Sequence, residues 1–286
     1  MDRPGPESLV WQRMADDRGL LLGGATLVLQ VADRTVGAGV AQHSNFKQEP
    51  WRRLWGTLTS LVTIVYGTTE QAGREVERLR AMHRPIRGVD ENGQTYAALR
   101  PAPWAWVHGT LAWSVIRLNE LFGTPFTPEE CEQYWREWLQ VGALLGVRDS
   151  DLPATWAEFR AVVEAADGLG VNESVRDVVE SVSLIPPPSW LRWTGPAWRM
   201  AVGRPIGALS RVVTIGALPP VLASRLDLSL TEREQRRLRR FTALVAGLRR
   251  CVPPPLRPGP MALLIQWQSR RRWDAPAASV QMKGVR

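Results

Sequence analysis

The sequence is short of the residues that build most metal sites and disulfide frameworks. Its 286 residues include only two cysteines and three histidines. Cys131 and Cys251 lie far apart without a CxxC partner, which argues against a disulfide framework and a structural zinc site. The HExxH and CxxCH motifs are missing, so a zinc-protease helix and covalent haem attachment have no support. A non-covalent metal cofactor with a single protein ligand remains possible on these grounds.

Motifs for other chemistries are absent as well. GxSxG does not occur, which argues against serine hydrolase chemistry. Neither GxGxxG nor GxxxxGK[ST] is present, so nucleotide cofactors are not indicated. The longest apolar run, Leu20 to Ala32, is interrupted by glycines and a glutamine and falls short of the roughly 20 residues that span a bilayer. We expect no transmembrane span and, because acidic residues precede this run where a signal peptide would be basic, a cytoplasmic protein.

The net charge of the chain does not indicate a particular binding partner. The chain carries 36 basic and 28 acidic residues, for a net charge of +8. This excess is dispersed rather than gathered in one block. One alternative is a nucleic-acid or anionic-membrane binder that uses the basic segments EREQRRLRRF and RRRW. The arginines of the first segment spread around their helix, so a solvated face fits better and nucleic acid is an unlikely partner. The oligomeric state is not predicted.

Apolar content is sufficient for one core, and helix signals dominate. Hydrophobic residues make up 44% of the chain, which includes 14 tryptophans, most of which we interpret as core and interface packing. We predict a mainly α fold with an N-terminal arm over residues 1–19 and a single helical domain over 20–250. Residues 251–286 are predicted to form a proline-rich linker and a basic C-terminal tail, mobile from Gln268 onward.

Individual helices follow from caps and apolar periodicity. Threonine with a carboxylate or glutamine three residues later forms a capping box at Thr68 and Thr231, and Thr127 followed by proline gives another start signal. The segment IPPPSWLRWTGP is expected to be extended. The predicted helices cover residues 20–37, 51–66, 128–145, 153–166, 173–182, 203–218 and 232–250. Two more are predicted in between: one follows the Thr68 cap and is stopped by Pro85, and the other carries Trp104, His108, Leu111 and Val115 on one face.

The stretch from Arg80 to Arg117 carries two of the three histidines and is the predicted working part of the chain. His108 shares an apolar helix face with Trp104, one turn before it, so its imidazole is expected to point inward. The small residue Gly109 beside it would let a planar group approach the helix. His83 lies on the apolar stripe of the preceding helix, and the sequence DENGQTYAAL between the two helices predicts a short β-hairpin-like connector.

Each of these residues has an ordinary interpretation beside the functional one. A lone histidine on an apolar face is most often a core residue, yet the same arrangement supplies an axial ligand to haem iron. Arg80 and Arg84 flank His83, and inward basic groups favour a buried anion between the helices. They would instead reach solvent or pair with nearby carboxylates if they are only structural. His43 is interpreted as a local hydrogen-bonding residue.

Several segments together resemble a known superfamily. GGATLVLQVA, GVAQHSNF, MHRPIRG with GQTYAA, and WAWVHGTLAWSV resemble the MpaB-type and latex-clearing-protein oxygenases over roughly Leu20 to Leu228. The most specific part is the WVHGTL segment with its upstream RxxH element. The resemblance implies a globin-like helical domain that holds haem b without a covalent bond. It implies His108 as the iron ligand.

The sequence differs from the rubber-cleaving branch of this superfamily on the distal helix. The rubber-cleaving branch carries an RxxKT element on the distal helix, and the matching positions here are Arg80, His83 and Arg84. Lysine is replaced by histidine and threonine by arginine, which counts against polyisoprene as the substrate. His83 is then a candidate second ligand or distal acid-base group. Arg80 and Arg84 are candidates for fixing a propionate or polarised oxygen.

The sequence therefore predicts a haem-dependent oxygenase or peroxygenase that uses oxygen or peroxide on a small or lipid-like apolar substrate. The leading alternative is a non-catalytic helical protein that binds a lipid or a regulatory haem. Turnover separates the two, because only the enzyme consumes the oxidant when substrate is present.

Overall fold

The chain folds into packed helices with one short hairpin. The computed structural model describes residues 3–253, 256 and 259–273. Its α-helices are α1 Leu9–Arg13, α2 Gly23–Val31, α3 Arg34–His43, α4 Pro50–Tyr66, α5 Thr69–His83, α6 Pro101–Phe122, α7 Pro128–Leu144, α8 Trp156–Ala165, α9 Glu173–Ser183, α10 Gly195–Trp198, α11 Arg204–Ala217, α12 Pro220–Arg225, α13 Glu232–Cys251 and α14 Pro260–Trp273. Short 3₁₀ helices cover Asp17–Leu22, Asp149–Asp151 and Ser189–Thr194, and a π-helical turn covers Arg199–Gly203. The mainly α prediction is confirmed.

The predicted hairpin joins α5 to α6. Strand β1, Arg87–Val89, pairs antiparallel with β2, Thr95–Ala97. The turn between them is closed by Asp90, whose carboxylate accepts the backbone N–H groups of residues 92 and 94, and by Gly93 at a φ of +75°. Only glycine adopts that backbone angle without strain. The connector therefore fixes the end of α5 against the start of α6.

Helix α6 lies at the centre of the core. Its fully buried side chains occur on nearly all sides of the helix, as expected of an element surrounded by others. It contacts α2, α7 and α13. Gln30 of α2 donates to the Thr110 hydroxyl on α6 at 3.0 Å, so this buried amide has a hydrogen-bond partner across the two helices. The buried positions of α6 include Ala105, His108, Gly109, Thr110, Ala112, Trp113 and Ile116.

Two local predictions were wrong. The first buried helix does not run unbroken from Leu20 to Gly37, because Asp33 caps a new helix: its carboxylate accepts the N–H of Val36 at 2.9 Å. The IPPPSWLRWTGP segment is extended only through its prolines. Residues Ser189–Thr194 then form a 3₁₀ helix that leads directly into α10.

Both terminal segments contact the helical domain. In the predicted N-terminal arm, Val10 and Trp11 are completely buried. Buried Asp16 pairs with Arg18 and with Arg249 of α13. Gln266 of α14 donates to the Trp11 carbonyl at 3.1 Å. Residues 268–273, the first part of the predicted mobile tail, continue α14, while residues 274–286 and part of the predicted linker lie outside the described residues.

Helix α7 begins with a capping box, and a substitution there measures how much one such local signal stabilises the fold. The Thr127 hydroxyl accepts the N–H of Glu130, and the Glu130 carboxylate accepts the N–H of Thr127. Thr127→Ala should lower the free energy of unfolding by about 1 kcal/mol, because the first turn loses a hydrogen-bond acceptor. Urea unfolding measures the change. The exposed neighbour Thr124 is outside the helix, and an equal loss in Thr124→Ala would contradict the capping explanation.

Candidate functional site

His108 is held between α6 and α7 by a reciprocal pair of hydrogen bonds. Its Nε2 lies 2.9 Å from the backbone oxygen of Trp138, and the indole N–H of Trp138 donates to the backbone oxygen of His108 at the same distance. The two rings also stack, with centroids 4.8 Å apart and planes 7° from parallel. The imidazole is 3% exposed, as its position on the apolar face of α6 predicts. We call this arrangement the His108–Trp138 clasp.

The clasp determines which ring nitrogen carries the proton. A carbonyl oxygen only accepts hydrogen bonds, so Nε2 must be the donor and Nδ1 must hold the free lone pair in the neutral ring. Nδ1 is buried and has no hydrogen-bond partner. An unpaired buried acceptor costs about 1–3 kcal/mol, which makes it an unusual feature of a folded protein. Metal-binding histidines share this arrangement, in which one nitrogen donates to a backbone carbonyl and the other coordinates the metal.

Burial also keeps the ring neutral. Removal from water lowers the pKa of His108 from 6.5 to about 4, against a smaller opposing effect of the hydrogen bond to Trp138. A neutral imidazole is the form that binds a metal. His108 can therefore offer a lone pair throughout the neutral pH range.

This pKa predicts a pH dependence of stability. Between pH 6.5 and about 4 the unfolded chain binds a proton at His108 that the folded chain refuses. In the haem-free protein, the contribution of His108 to stability is therefore full above pH 6.5 and falls by about 3 kcal/mol as the pH drops to 4. Urea unfolding across this range measures the loss. His108→Gln, which does not titrate, should show a flatter profile, and identical profiles would contradict the prediction; NMR titration of the His108 imidazole is an independent check.

Two glycines shape the surroundings of the imidazole. A Cβ at Gly142 of α7 would lie 2.7 Å from Nε2 of His108, so only glycine lets the ring reach the Trp138 carbonyl. A Cβ at Gly109 would lie 2.5 Å from Cζ of Phe159. The space beside Gly109, which the sequence suggested for a planar ligand, is therefore filled by the Phe159 ring. That expectation was wrong.

His83 lies half-buried at the end of α5, on the side of α6 that carries Trp104. Its ring meets the Trp104 indole edge to face, with centroids 5.1 Å apart. Nδ1 lies 2.8 Å from the Leu79 carbonyl and must donate to it, so Nε2 holds the free lone pair. Burial lowers the pKa of His83, and the nearby positive charges of Arg53 and Arg78 lower it further. His83 is thus a neutral group that can accept a proton.

The predicted arginines take different positions. Arg80 is exposed, and its guanidinium donates to the Leu145 carbonyl at 3.0 Å. The indole N–H of Trp104 donates to the same oxygen at 3.1 Å. Arg84 is exposed and serves as the C-cap of α5. The expectation that both arginines face inward beside His83 is wrong, because both residues are exposed. The positive charges that lower the pKa of His83 belong to Arg53 and Arg78.

Two of the four predicted residues adjoin Trp104: His83 contacts its ring, and Arg80 shares its hydrogen-bond acceptor. His108 lies one helical turn further along α6, where its ring stacks on Trp138 of α7. Sequence reasoning missed Trp138 and Gly142, which are 30 and 34 positions after His108 and carry no local signal. His43 ends α3, exposed, with its ring 6.3 Å from that of Tyr96. It stays apart from the described site.

Comparison with known proteins assigns the chain to a family. The model of a family described as ER-bound oxygenase mpaB/B'/rubber oxygenase, catalytic domain, matches residues 11–247. The chain belongs to this family. His83, His108, Trp138 and the hairpin all fall within the matched region of this oxygenase domain. No curated protein and no solved structure gives a significant match.

Two negative findings apply to the part of the chain that the structure describes. There, no three or more histidine, cysteine, aspartate or glutamate side chains come close enough together to hold a metal ion. Within the same residues, none of the helices combines the length and the apolar character that crossing a membrane requires.

Proposed function

We propose that this member of the mpaB/rubber oxygenase family is a haem b-dependent oxygenase or peroxygenase, with His108 as the iron ligand. The observation that carries the proposal is the buried, unpartnered Nδ1 of His108 in a ring whose other nitrogen donates to a carbonyl. A metal ion bound at Nδ1 would use the free lone pair and offset the cost of burying it without a partner. The absence of CxxCH fits non-covalent binding.

The other residues have roles that follow from their protonation and charge. Haem supplies the redox chemistry that activates oxygen or peroxide. His83, neutral with its Nε2 lone pair free, accepts or relays a proton. Arg53 and Arg78 add positive charge beside it. Arg80 and Arg84 remain proposed contacts for a propionate or polarised oxygen, since their exposed guanidinium groups suit the edge of the site better than its interior.

The substrate class is proposed as small or lipid-like and apolar. Tryptophan and phenylalanine rings surround the candidate site: Trp104 covers His83, Trp138 covers His108, and Phe159 contacts Gly109. Such rings favour apolar ligands. A cytoplasmic location remains a prediction from the sequence.

The test is spectroscopic and then kinetic. Protein purified and supplemented with haem should show a Soret band and should consume oxygen or peroxide when an unsaturated fatty acid is added. A protein that shows no Soret band would overturn the haem assignment. A Soret band without consumption of either oxidant would favour the non-catalytic haem-binding alternative.

A further inference from the structure

A tryptophan-rich segment lies between α9 and α11 and is unusually exposed. Trp190 and Trp193 of the 3₁₀ helix are 73% and 82% exposed, and Met200 in the π-helical turn is 72% exposed. Large apolar side chains with so little cover mark an interaction surface when they occur together. Two other tryptophans of the described chain, Trp55 of α4 and Trp267 of α14, are also more than half exposed. The start of α4 adjoins the segment, because the Trp51 indole donates to the Pro186 carbonyl, whereas α14 is distant from it in sequence.

Helical geometry places the two tryptophans side by side. A 3₁₀ helix has three residues per turn, so side chains at positions i and i+3 eclipse each other. Trp190 and Trp193 stand at that spacing in Ser189–Thr194. The elements that follow, α10 and the π-helical turn, contact the 3₁₀ helix and each other in succession. The apolar side chains are thus presented by one continuous packed strip.

The charge of this strip has a single sign. No aspartate or glutamate occurs between Glu180 and Asp227. Arg192, Arg199 and Arg204 are exposed within the same strip. The carboxylates nearest in sequence lie on α9: Glu180 is exposed, and Asp177 is paired with Lys47. Exposed tryptophan beside arginine, with no carboxylate within the strip itself, complements a surface that is both negative and amphipathic.

We propose that this strip docks on the surface of an anionic lipid bilayer. We name it the tryptophan face and define it by Trp190, Arg192, Trp193, Arg199, Met200, Arg204 and Ile206. Indole rings prefer the headgroup level of a membrane, and arginines beside them bind lipid phosphates. A groove of about 240 Å³, lined by Leu184, Ile185, Pro186 and Trp198, opens along its edge. The proposal does not depend on haem or on the oxygenase reaction.

Vesicle binding tests the tryptophan face with the full-length protein. The protein should sediment with vesicles of phosphatidylcholine and phosphatidylserine, and much less with phosphatidylcholine alone. Trp190→Ser combined with Trp193→Ser should weaken binding by at least about tenfold, since each indole loses its membrane contact. Removing Arg192, Arg199 and Arg204 as glutamines should also weaken it by at least about tenfold, because each arginine near an anionic surface contributes roughly fivefold.

Matched control variants distinguish binding through the tryptophan face from nonspecific binding to vesicles. Trp267→Ser removes an exposed tryptophan of α14. Arg233, Arg237 and Arg240 on α13, changed together to glutamine, remove the same charge from exposed positions elsewhere. Both controls should bind like the unmodified protein. Equal losses in the controls, or no sedimentation with anionic vesicles, would overturn the proposal. The proposal would also be overturned if duplex DNA released the protein from the vesicles. A further contrary result would be a dimer that dissociates when Trp190 and Trp193 are changed, because the face would then bind a second copy of the chain.

Discussion

Replacing His108 with glycine is expected to abolish the haem absorption band. The substitution removes the side chain proposed as the iron ligand. Loss of an outer hydrogen-bond partner alone weakens metal sites by about 10–100-fold, so loss of the ligand itself should weaken haem binding by at least about 100-fold. Titration of the purified variant with haem, followed at the Soret band, measures the effect. An unchanged affinity would refute His108 as the ligand.

Two controls separate ligand loss from misfolding. Added imidazole can occupy the space left by the side chain and should restore part of the Soret band in His108→Gly, which a misfolded protein would not allow. His43→Ala, which changes an exposed histidine at the end of α3, should leave the band unchanged. Far-UV circular dichroism checks that both variants keep their helices.

Gly142→Ala is expected to destabilise the fold and to weaken haem binding at once. The added Cβ would lie 2.7 Å from Nε2 and 3.0 Å from Cδ2 of His108. The imidazole cannot yield, because it is stacked on Trp138 and hydrogen-bonded to its backbone. Forced repacking of this kind costs about 1–3 kcal/mol. Urea unfolding measures the stability, and the same Soret titration measures haem binding.

Gly73→Ala is the matched control, because it makes the same change in another helix. A Cβ at Gly73 of α5 meets nothing within 4 Å. Alanine there should raise stability by about 0.5–1 kcal/mol, since glycine is the poorer helix former. The two substitutions should therefore have opposite signs. Equal effects would show that helix propensity, and not contact with His108, governs position 142.

Local signals in the sequence were enough to predict most helices. Thr68, Thr127 and Thr231 cap α5, α7 and α13 as predicted, and Pro50 begins α4. These signals work because a capping hydroxyl and the backbone N–H that donates to it lie only three residues apart. The predicted helix runs through the break before α3, although Asp33 is a common capping residue, because apolar residues resume at Val36 after the run that ends at Ala32. The 3₁₀ helix after three prolines was also missed, since it depends on packing rather than on a local cap.

The site was harder to predict because its partners are distant in sequence. The inward direction of His108 follows from its spacing with neighbouring apolar residues, and the structure confirms it. Its partner Trp138 belongs to another helix, and nothing near either residue indicates that they meet. Arg80 and Arg84 were chosen for their nearness to His83 in sequence. The neighbour Arg53 comes from α4, which packs antiparallel to α5 and brings a residue 30 positions away into range.

The His108–Trp138 clasp has a consequence for motion. Rotating the imidazole by a half turn would exchange its nitrogen with a carbon, break the bond to the Trp138 carbonyl, and require room that the stacked indole and Gly142 do not leave. Surface side chains change rotamer in picoseconds to nanoseconds, but this ring can turn only when α6 and α7 separate by local opening. The side of the ring that holds the lone pair is therefore set when the two helices pack, and it persists for as long as they stay together.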